Sequence, residues 1–284
     1  MIIVILKGGI GNQMFQYAFG RYLSILWKTS LFLEKGIYLS GSTNRLFDLD
    51  IFPLSPDTKV GSIKDIALSD FQDQNLISER KYSYDEDLVE RLERRDEKMI
   101  NSSKAIILDG YWQSYKYFSP INETINMDFS INSYFKGKFA ILFEKIKNTN
   151  SVMINVRRGD YLNKMNYHGV VGVDYLSKAM TLITSKVSSP FFYIFSDDIA
   201  WCRNNIANES NVFFVDESYY DSKFRSYFIL MKSCSHFIIA NSTFCWWAAW
   251  LANNPSKIVV APKKWFATSE LTSKDLIPDN WIRL

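Results

Sequence analysis

Apolar residues in this chain come in short runs, separated by stretches that carry its glycines, prolines and charges. Ile2 to Leu6 is a continuous apolar run of buried-strand type that breaks at Lys7-Gly-Gly-Ile-Gly-Asn-Gln13, and Met14 to Leu26 then takes helical spacing. The chain thus opens as strand, glycine loop and helix. Leu31-Phe-Leu33 predicts a second strand ending at Glu34, and Ser40 to Leu54, with Gly41, Asn44 and Pro53, predicts a loop. Residues 79–98 are densely charged, yet Tyr84, Leu88, Leu92 and Met99 recur near helical spacing, which predicts an amphipathic helix with a scaffold role. Ala105 to Leu108 is a further strand, Phe139 to Ile146 is helix-like, and the polar Lys147-Asn-Thr-Asn-Ser151 marks a junction between a domain over 1–149 and one over 150–284. Beyond it, strands at 152–156, 191–195, 212–215, 236–240 and 257–262 alternate with helices at 174–185, 199–206, 219–233 and 244–252. That alternation predicts an α/β fold with a parallel sheet and helices on both faces.

A length of 284 residues suits two domains at about 100–200 residues each. The 47% hydrophobic and 22% charged fractions are those of a globular chain, and 16% aromatic is high, as in proteins that handle sugars or flat rings or simply pack aromatic cores. A net charge of +3 gives no broad electrostatic footprint for nucleic acid. The three cysteines, Cys202, Cys234 and Cys245, form no C-x-x-C pair, so neither a disulfide framework nor a structural zinc is expected and a reducing, cytoplasmic location fits. The apolar start is six residues long without a basic leader, which reads as a strand and not a signal. No run approaches the roughly 18–20 apolar residues that span a bilayer, which leaves peripheral membrane contact as the expectation.

Ser151 to Tyr161 carries the strongest chemical signal: an apolar run delivers Arg157 and Arg158 into a turn at Gly159. Ligands of open α/β sheets bind beyond the carboxyl ends of strands, where paired guanidinium groups suit a diphosphate. An ordinary surface arginine pair reads equally well from these residues alone. In the first glycine loop, backbone N–H groups around Gly9 and Gly11 can approach an anion at the helix start, with Asn12 and Gln13 as side-chain donors. The spacing matches neither G-x-G-x-x-G nor a P-loop. Asp48-Leu-Asp50 has the D-x-D spacing of a divalent-ion site, but its flanks are apolar, and we read it as a solvated strand edge. Tyr111, Trp112 and Gln113 lie in an aromatic segment, Asp109 to Phe118, that suits either a sugar pocket or a core cluster. Phe195-Ser-Asp-Asp198 offers Asp197 and Asp198 to a guanine edge or ribose, or as helix caps. Ala240-Asn-Ser-Thr-Phe244 opens a tryptophan-rich helix whose start can cap itself or take a phosphate.

Together, Gly8-Gly-Ile-Gly-Asn-Gln-Met-Phe-Gln-Tyr-Ala-Phe-Gly20, Gly110-Tyr-Trp-Gln-Ser114, Arg157-Arg-Gly-Asp-Tyr161 and Asn241-Ser-Thr-Phe-Cys-Trp-Trp-Ala-Ala-Trp-Leu251 resemble the α-1,2-fucosyltransferases of glycosyltransferase family 11, nearly end to end. The resemblance implies a GT-B architecture: two Rossmann-like domains facing a central cleft, the first on the acceptor side and the second binding GDP-fucose. It implies inverting transfer of fucose from GDP-β-L-fucose to the 2-hydroxyl of a terminal galactose on an oligosaccharide or lipid-linked glycan, in surface-polysaccharide synthesis, with no metal or other cofactor. By the same resemblance Arg157 and Arg158 meet the donor diphosphate, Asn12 the β-phosphate and Asp197 the nucleoside, while Ser242, Thr243 and Phe244, next to Asn241, complete the phosphate and base site. The family usually has a histidine where this chain has Asn155, which can hydrogen-bond donor oxygens but carry no proton at neutral pH. The base that takes the acceptor proton is then expected among Asp160, Glu34 and His168, Asp160 first for its proximity to Arg157. A non-catalytic nucleotide-sugar or glycan-binding module is the alternative.

Overall fold

The computed structural model describes residues 1–65, 76–94, 105–131, 135–162, 169–268 and 272–284. The chain forms two compact units, Met1–Ile131 with Ser273–Leu276, and Asn132–Thr272 with Ile277–Leu284. The boundary therefore lies before the helix over 137–147 and not after it, as the polar stretch at 147–151 had suggested. Aromatic packing is the reason: Phe139 meets Tyr219 at 5.6 Å, and Lys145 sits over the rings of Phe191 and Phe213, all residues of the second unit. Ser273–Leu276 belongs to the first unit because Asp275 accepts from Lys116 Nζ at 2.7 Å and, through its carbonyl, from the buried Ser114 hydroxyl at 2.8 Å.

The N-terminal unit runs β1 (Ile2–Ile5), α1 (Ile10–Leu26), β2 (Leu31–Glu34), α2 (Gly36–Leu39), β3 (Thr58–Gly61), β4 (Leu76–Ser78), α3 (Glu86–Glu93), β5 (Ile106–Asp109) and α4 (Asn122–Asp128). Its strands pair in parallel in the order β3-β2-β1-β5-β4. Helix α1 presses on the sheet at Gly20, where an added Cβ would stand 2.4 Å from Val4 Cγ2. The expected helix over 79–98 is shorter. Asp85 caps α3 by accepting from Leu88 N at 3.2 Å, residues 79–84 form the loop before it, and 95–98 lie outside the described residues. Strands β3 and β4 were not predicted; being short and mostly solvated, they carry no apolar run to announce them.

The C-terminal unit runs α5 (Gly137–Lys147), β6 (Asn150–Val156), α6 (Val173–Lys186), β7 (Pro190–Ser196), α7 (Ile199–Asn205), β8 (Val212–Val215), α8 (Arg225–Lys232), β9 (His236–Ile238), α9 (Thr243–Trp250), β10 (Val259–Ala261) and β11 (Ile282–Arg283). The parallel order β11-β10-β9-β6-β7-β8 is the doubly wound Rossmann arrangement with its switch point between β6 and β9. Val152, Ile154 and Val156 pack with Leu176, Ala179 and Ile183 of α6 on one face. On the other, Phe195 meets Tyr227 of α8 edge-on at 5.0 Å. The helix expected over 219–233 is reduced to α8, because Lys223 and Phe224 adopt left-handed φ of 58° and 56° and Asp221 accepts from Ser226 N at 2.9 Å just inside the helix start.

Candidate functional site

Strand register assembles the arginine motif. Val156 pairs with Ser196, so the next residues, Arg157 and Asp197, stand level beyond the carboxyl ends of β6 and β7. Arg157 Nη1 is 3.0 Å from Asp197 Oδ2, and Arg157 Nη2 is 2.5 Å from Asp160 Oδ1. Asp197 Oδ1 accepts from the Arg158 backbone N–H at 2.9 Å. Arg158 Nε reaches Asp198 Oδ2 at 3.3 Å, and its guanidinium lies 4.1 Å from the centre of the Trp201 ring. The close approach of Asp197 needs Gly159, where a Cβ would fall 2.5 Å from Asp197 Oδ2. A guanidinium carries five N–H donors in a fixed plane. Two of those on Arg157 are directed at carboxylates, which fixes the plane while the group stays partly exposed at 28%.

Asp197 directs both oxygens at the arginine turn, one to the Arg157 guanidinium and one to the Arg158 amide. Asp198 braces Arg158 with one oxygen and caps α7 with the other, which accepts from Trp201 N at 3.0 Å. Asp160 holds the Arg157 guanidinium and stays partly exposed at 35%.

The third strand end at the switch point is that of β9. Ile154 pairs with Ile238, so Arg157 and Asn241 lie three residues on along their two strands. Tyr161 Oη donates to the Asn241 carbonyl at 3.1 Å, and Asn241 Nδ2 donates to Trp265 O at 3.0 Å. Asn241, 4% exposed, thereby ties the loops together. Ser242 holds the N-cap position of α9 without a side-chain cap bond, followed by the half-buried Thr243 and Phe244, whose ring packs on Phe228 at 5.1 Å. The first amides of a helix have no intrahelical acceptor and suit an anion. At the other end of α9, Lys257 Nζ donates to the carbonyls of Trp250 and Ala252, each at 2.9 Å, and burial brings its pKa down to about 8. Asn155, 8% exposed, donates through Nδ2 to Phe195 O at 3.3 Å, and its Oδ1 is buried with no hydrogen-bond partner among the described residues. Burial raises the thiols of Cys202 to about 11 and Cys245 to about 12, and lifts that of Cys234 further, so none is a thiolate nucleophile.

In the N-terminal unit the glycine loop has two kinds of residue. Gly8 adopts φ +79° against the Asn12 side chain, Gly9 is the N-cap residue of α1 and Gly11 lies buried in its first turn. Asn12 is half-buried and accepts from Gln113 Nε2 at 2.9 Å. Gln13 is 0% exposed, donates to the carbonyls of Gly8 and Leu46 and accepts from Asp48 N at 3.0 Å. Its amide is therefore spent on anchoring the 46–48 loop to α1, a correction to its expected donor contact. Trp112 is corrected too: it is 0% exposed, with φ +55°, and packs on Phe19 and Tyr117. The core reading of the aromatic segment holds for Trp112, whereas Tyr111 stays half-exposed beside Lys7 and Asp109.

Glu34 accepts from Gly36 N at 2.6 Å and from Ile63 N, so it joins the loops after β2 and β3, and that engagement argues against a base role. His168 lies outside the described residues. Among the described residues no three His, Cys, Asp or Glu side chains group as metal ligands. Sequence reading passed over Glu79, Tyr82 and Lys7, which gather beside Asp109 and Tyr111. Glu79 and Tyr82 were hidden in a charged stretch read as scaffold helix, and only the pairing of β4 with β5 brings them to that place.

Comparison with known proteins fits this geometry. A relative described as an α-1,2-colitosyltransferase of Escherichia coli is 32% identical, over 100% of this chain and 99% of its own. An O-antigen biosynthesis glycosyltransferase, WbnK, of the same organism is also 32% identical, over 98% and 99%. A galactoside α-(1,2)-fucosyltransferase 1 of Leontocebus fuscicollis is 31% identical, over 51% and 42%. In fold, the chain is similar to the fucosyltransferase NodZ from Bradyrhizobium, with a TM-score of 0.54 at 12% identity over 88% of this chain and 93% of that one. The α/β fold of two parallel-sheet, Rossmann-like units is of the GT-B type. The sequence pattern described as Glycosyl transferase family 11 spans residues 1–284, and the chain belongs to that family.

Proposed function

We propose that this protein transfers L-fucose from GDP-β-L-fucose to the 2-hydroxyl of a terminal galactose, with inversion to an α-1,2 linkage, in the assembly of a surface polysaccharide such as O-antigen or capsule. The observation that carries the reading is the braced pair Arg157 and Arg158 at the switch point of the C-terminal sheet, beside the start of α9. When the bond between the fucosyl anomeric carbon and the β-phosphate oxygen breaks, its electron pair passes to the GDP diphosphate. Guanidinium groups already fixed by carboxylates, with the α9 amides, stabilise that growing charge without reorganising, which favours the transition state over the ground state. The galactose 2-hydroxyl forms the new bond from the opposite face, and its proton leaves to a base. Arg157, Arg158, Ser242, Thr243 and Phe244 serve the donor, and Asn155 Oδ1 offers an acceptor to a donor-sugar hydroxyl. Asp160, Asp197 and Asp198 act through the arginines. The whole-chain relative described as a colitosyltransferase favours a second reading, in which a nucleotide-activated colitose is the donor.

No metal has a part in the proposed reaction, and the site is placed in the cytoplasm with peripheral contact where lipid-linked acceptors are presented. Among the described residues no helix is long and apolar enough to cross a membrane. Incubation with GDP-fucose and lactose in EDTA is expected to release GDP only when acceptor is present and to yield an α-1,2-fucosylated product by NMR. Donor binding without turnover would sink the enzyme reading in favour of a binding module. Turnover with activated colitose alone would replace the donor sugar, and loss of turnover in EDTA would return a metal role to Asp48 and Asp50.

A further inference from the structure

Three strand ends of the N-terminal sheet, those of β1, β5 and β4, surround a cavity of about 180 Å³ whose lining includes Lys7, Glu79, Tyr82, Asp109 and Tyr111. The position is the switch point of that sheet, between β1 and β5, where open α/β sheets take ligands. Lys7 Nζ meets Asp109 Oδ1 at 2.7 Å, with the two side chains 29% and 36% exposed. The same ammonium lies 5.0 Å from the centre of the Tyr111 ring, and Tyr82 stacks on Tyr111 at 5.9 Å with the planes 22° apart.

Buried groups hold this platform in place. Gln16, 0% exposed, accepts from Lys7 N at 3.1 Å and donates to Gly110 O at 3.0 Å, which clamps the ends of β1 and β5 together. Glu79 accepts from Tyr111 N at 2.7 Å and Trp112 N at 3.1 Å, and burial pushes its carboxyl pKa up. A Cβ at Gly110 would stand 2.5 Å from Glu79 Cβ, so only glycine lets β4 and β5 approach so closely here. The rigid parts are thus inside, and Tyr111, Tyr82, the ammonium and one carboxylate line the cavity.

A half-exposed ammonium and carboxylate side by side offer a donor and an acceptor together, which is what two adjacent hydroxyls of a sugar exchange with. An aromatic face beside them covers the C–H face of a pyranose. A galactose that reacts at its 2-hydroxyl keeps one adjacent pair, the 3- and 4-hydroxyls. We infer that this cavity is the acceptor subsite: the Tyr111–Tyr82 pair takes the C–H face of the terminal galactose while Lys7 and Asp109 hold its 3- and 4-hydroxyls. The inference rests on the transfer proposed above and adds to it the residues that select the acceptor.

Steady-state kinetics with lactose, on Lys7→Met, Asp109→Asn and Tyr82→Leu proteins, is expected to show acceptor KM raised by about tenfold or more, the scale of losing hydrogen bonds to charged groups. GDP affinity, measured by calorimetry, is expected to stay at the parent value. Discrimination between lactose and its 4-deoxygalactose analogue is expected to shrink in the Lys7 and Asp109 variants. Unchanged acceptor KM and discrimination in all three would overturn the subsite and leave the transfer reading standing, as would a parallel loss of GDP affinity. Saturation-transfer NMR of the galactoside on GDP-loaded protein decides the subsite even if no donor turns over. Binding that is lost in Tyr82→Leu supports it, and absence of binding to the parent protein overturns it.

Discussion

At the scale of single residues, the Arg157 guanidinium is positioned before any ligand arrives. Its two carboxylate partners remove the rotational freedom that a long side chain otherwise keeps, so the group acts as a fixed donor toward developing charge. Replacing it in Arg157→Ala is expected to lower kcat by about 10²-fold or more, the scale of losing one oxyanion-type donor. A near-normal rate would remove it from the site. Gly159 tests the brace instead of the donor. In Gly159→Ala the new Cβ meets Asp197 Oδ2 at 2.5 Å, a contact that forces the carboxylate off both Arg157 and the Arg158 amide. GDP affinity is expected to fall while the thermal midpoint moves little, and calorimetry beside a melting curve separates the two. Asp197 and Asp198 show why residue types alone left their roles open. A carboxylate at a strand end suits a nucleoside, a helix cap or an arginine equally, and distances alone select among them.

At the scale of elements, α1 and its sheet depend on the absence of a side chain at Gly20. Alanine there gains about 1 kcal/mol of helix propensity, but its Cβ would lie 2.4 Å from the fully buried Val4 Cγ2, and overpacking of this kind costs about 1–3 kcal/mol. The steric cost is the larger, so Gly20→Ala is expected to destabilise the N-terminal unit by up to about 2 kcal/mol, read as a lower denaturant midpoint with an unchanged slope. A more stable variant would mean that α1 shifts freely on the sheet. The long apolar runs of β1, β6 and β7 were legible in the sequence because both faces of a parallel sheet are covered and the strands carry no alternation. Edge strands β3 and β4 were not, since a solvated edge needs no apolar run and only its pairing partner reveals it.

At the scale of the whole molecule, pH acts through a histidine away from the proposed chemistry. His236 accepts from Ile258 N at 3.1 Å through Nδ1, a bond that joins β9 to the residue before β10, and burial lowers its pKa below the usual 6.5. A folded pKa below the unfolded one means that the unfolded chain binds the proton more readily. The contribution of this group is therefore present above about pH 6.5 and is lost as pH falls below it. Urea unfolding followed through the tryptophans of α9 is expected to show the midpoint dropping from pH 7.5 to 5.5, and His236→Gln is expected to flatten that drop. An unchanged pH dependence in the variant would assign the drop to other groups. Because the side chain is half-exposed, the effect is modest.

By itself the sequence determined the α/β class, the strand that delivers Arg157 and Arg158, the glycine loop before α1 and the family, because apolar runs, glycine turns and ordered motifs are local in the chain. It did not determine which polar side chains face a ligand and which hold one another. Gln13, Glu34, Trp112 and Asp197 all had the chemistry of site residues and became anchors, core or brace once backbone groups, rings and guanidinium groups came within 2.6–5.7 Å of them. Glu79 and Tyr82 moved the other way, from a stretch read as solvated helix to the wall of a cavity, because β4 pairs with β5 and brings residue 79 against the amides of 111 and 112. A hydrogen bond is satisfied by whichever partner the fold brings within reach, and that choice belongs to the packed tertiary structure and not to residue type.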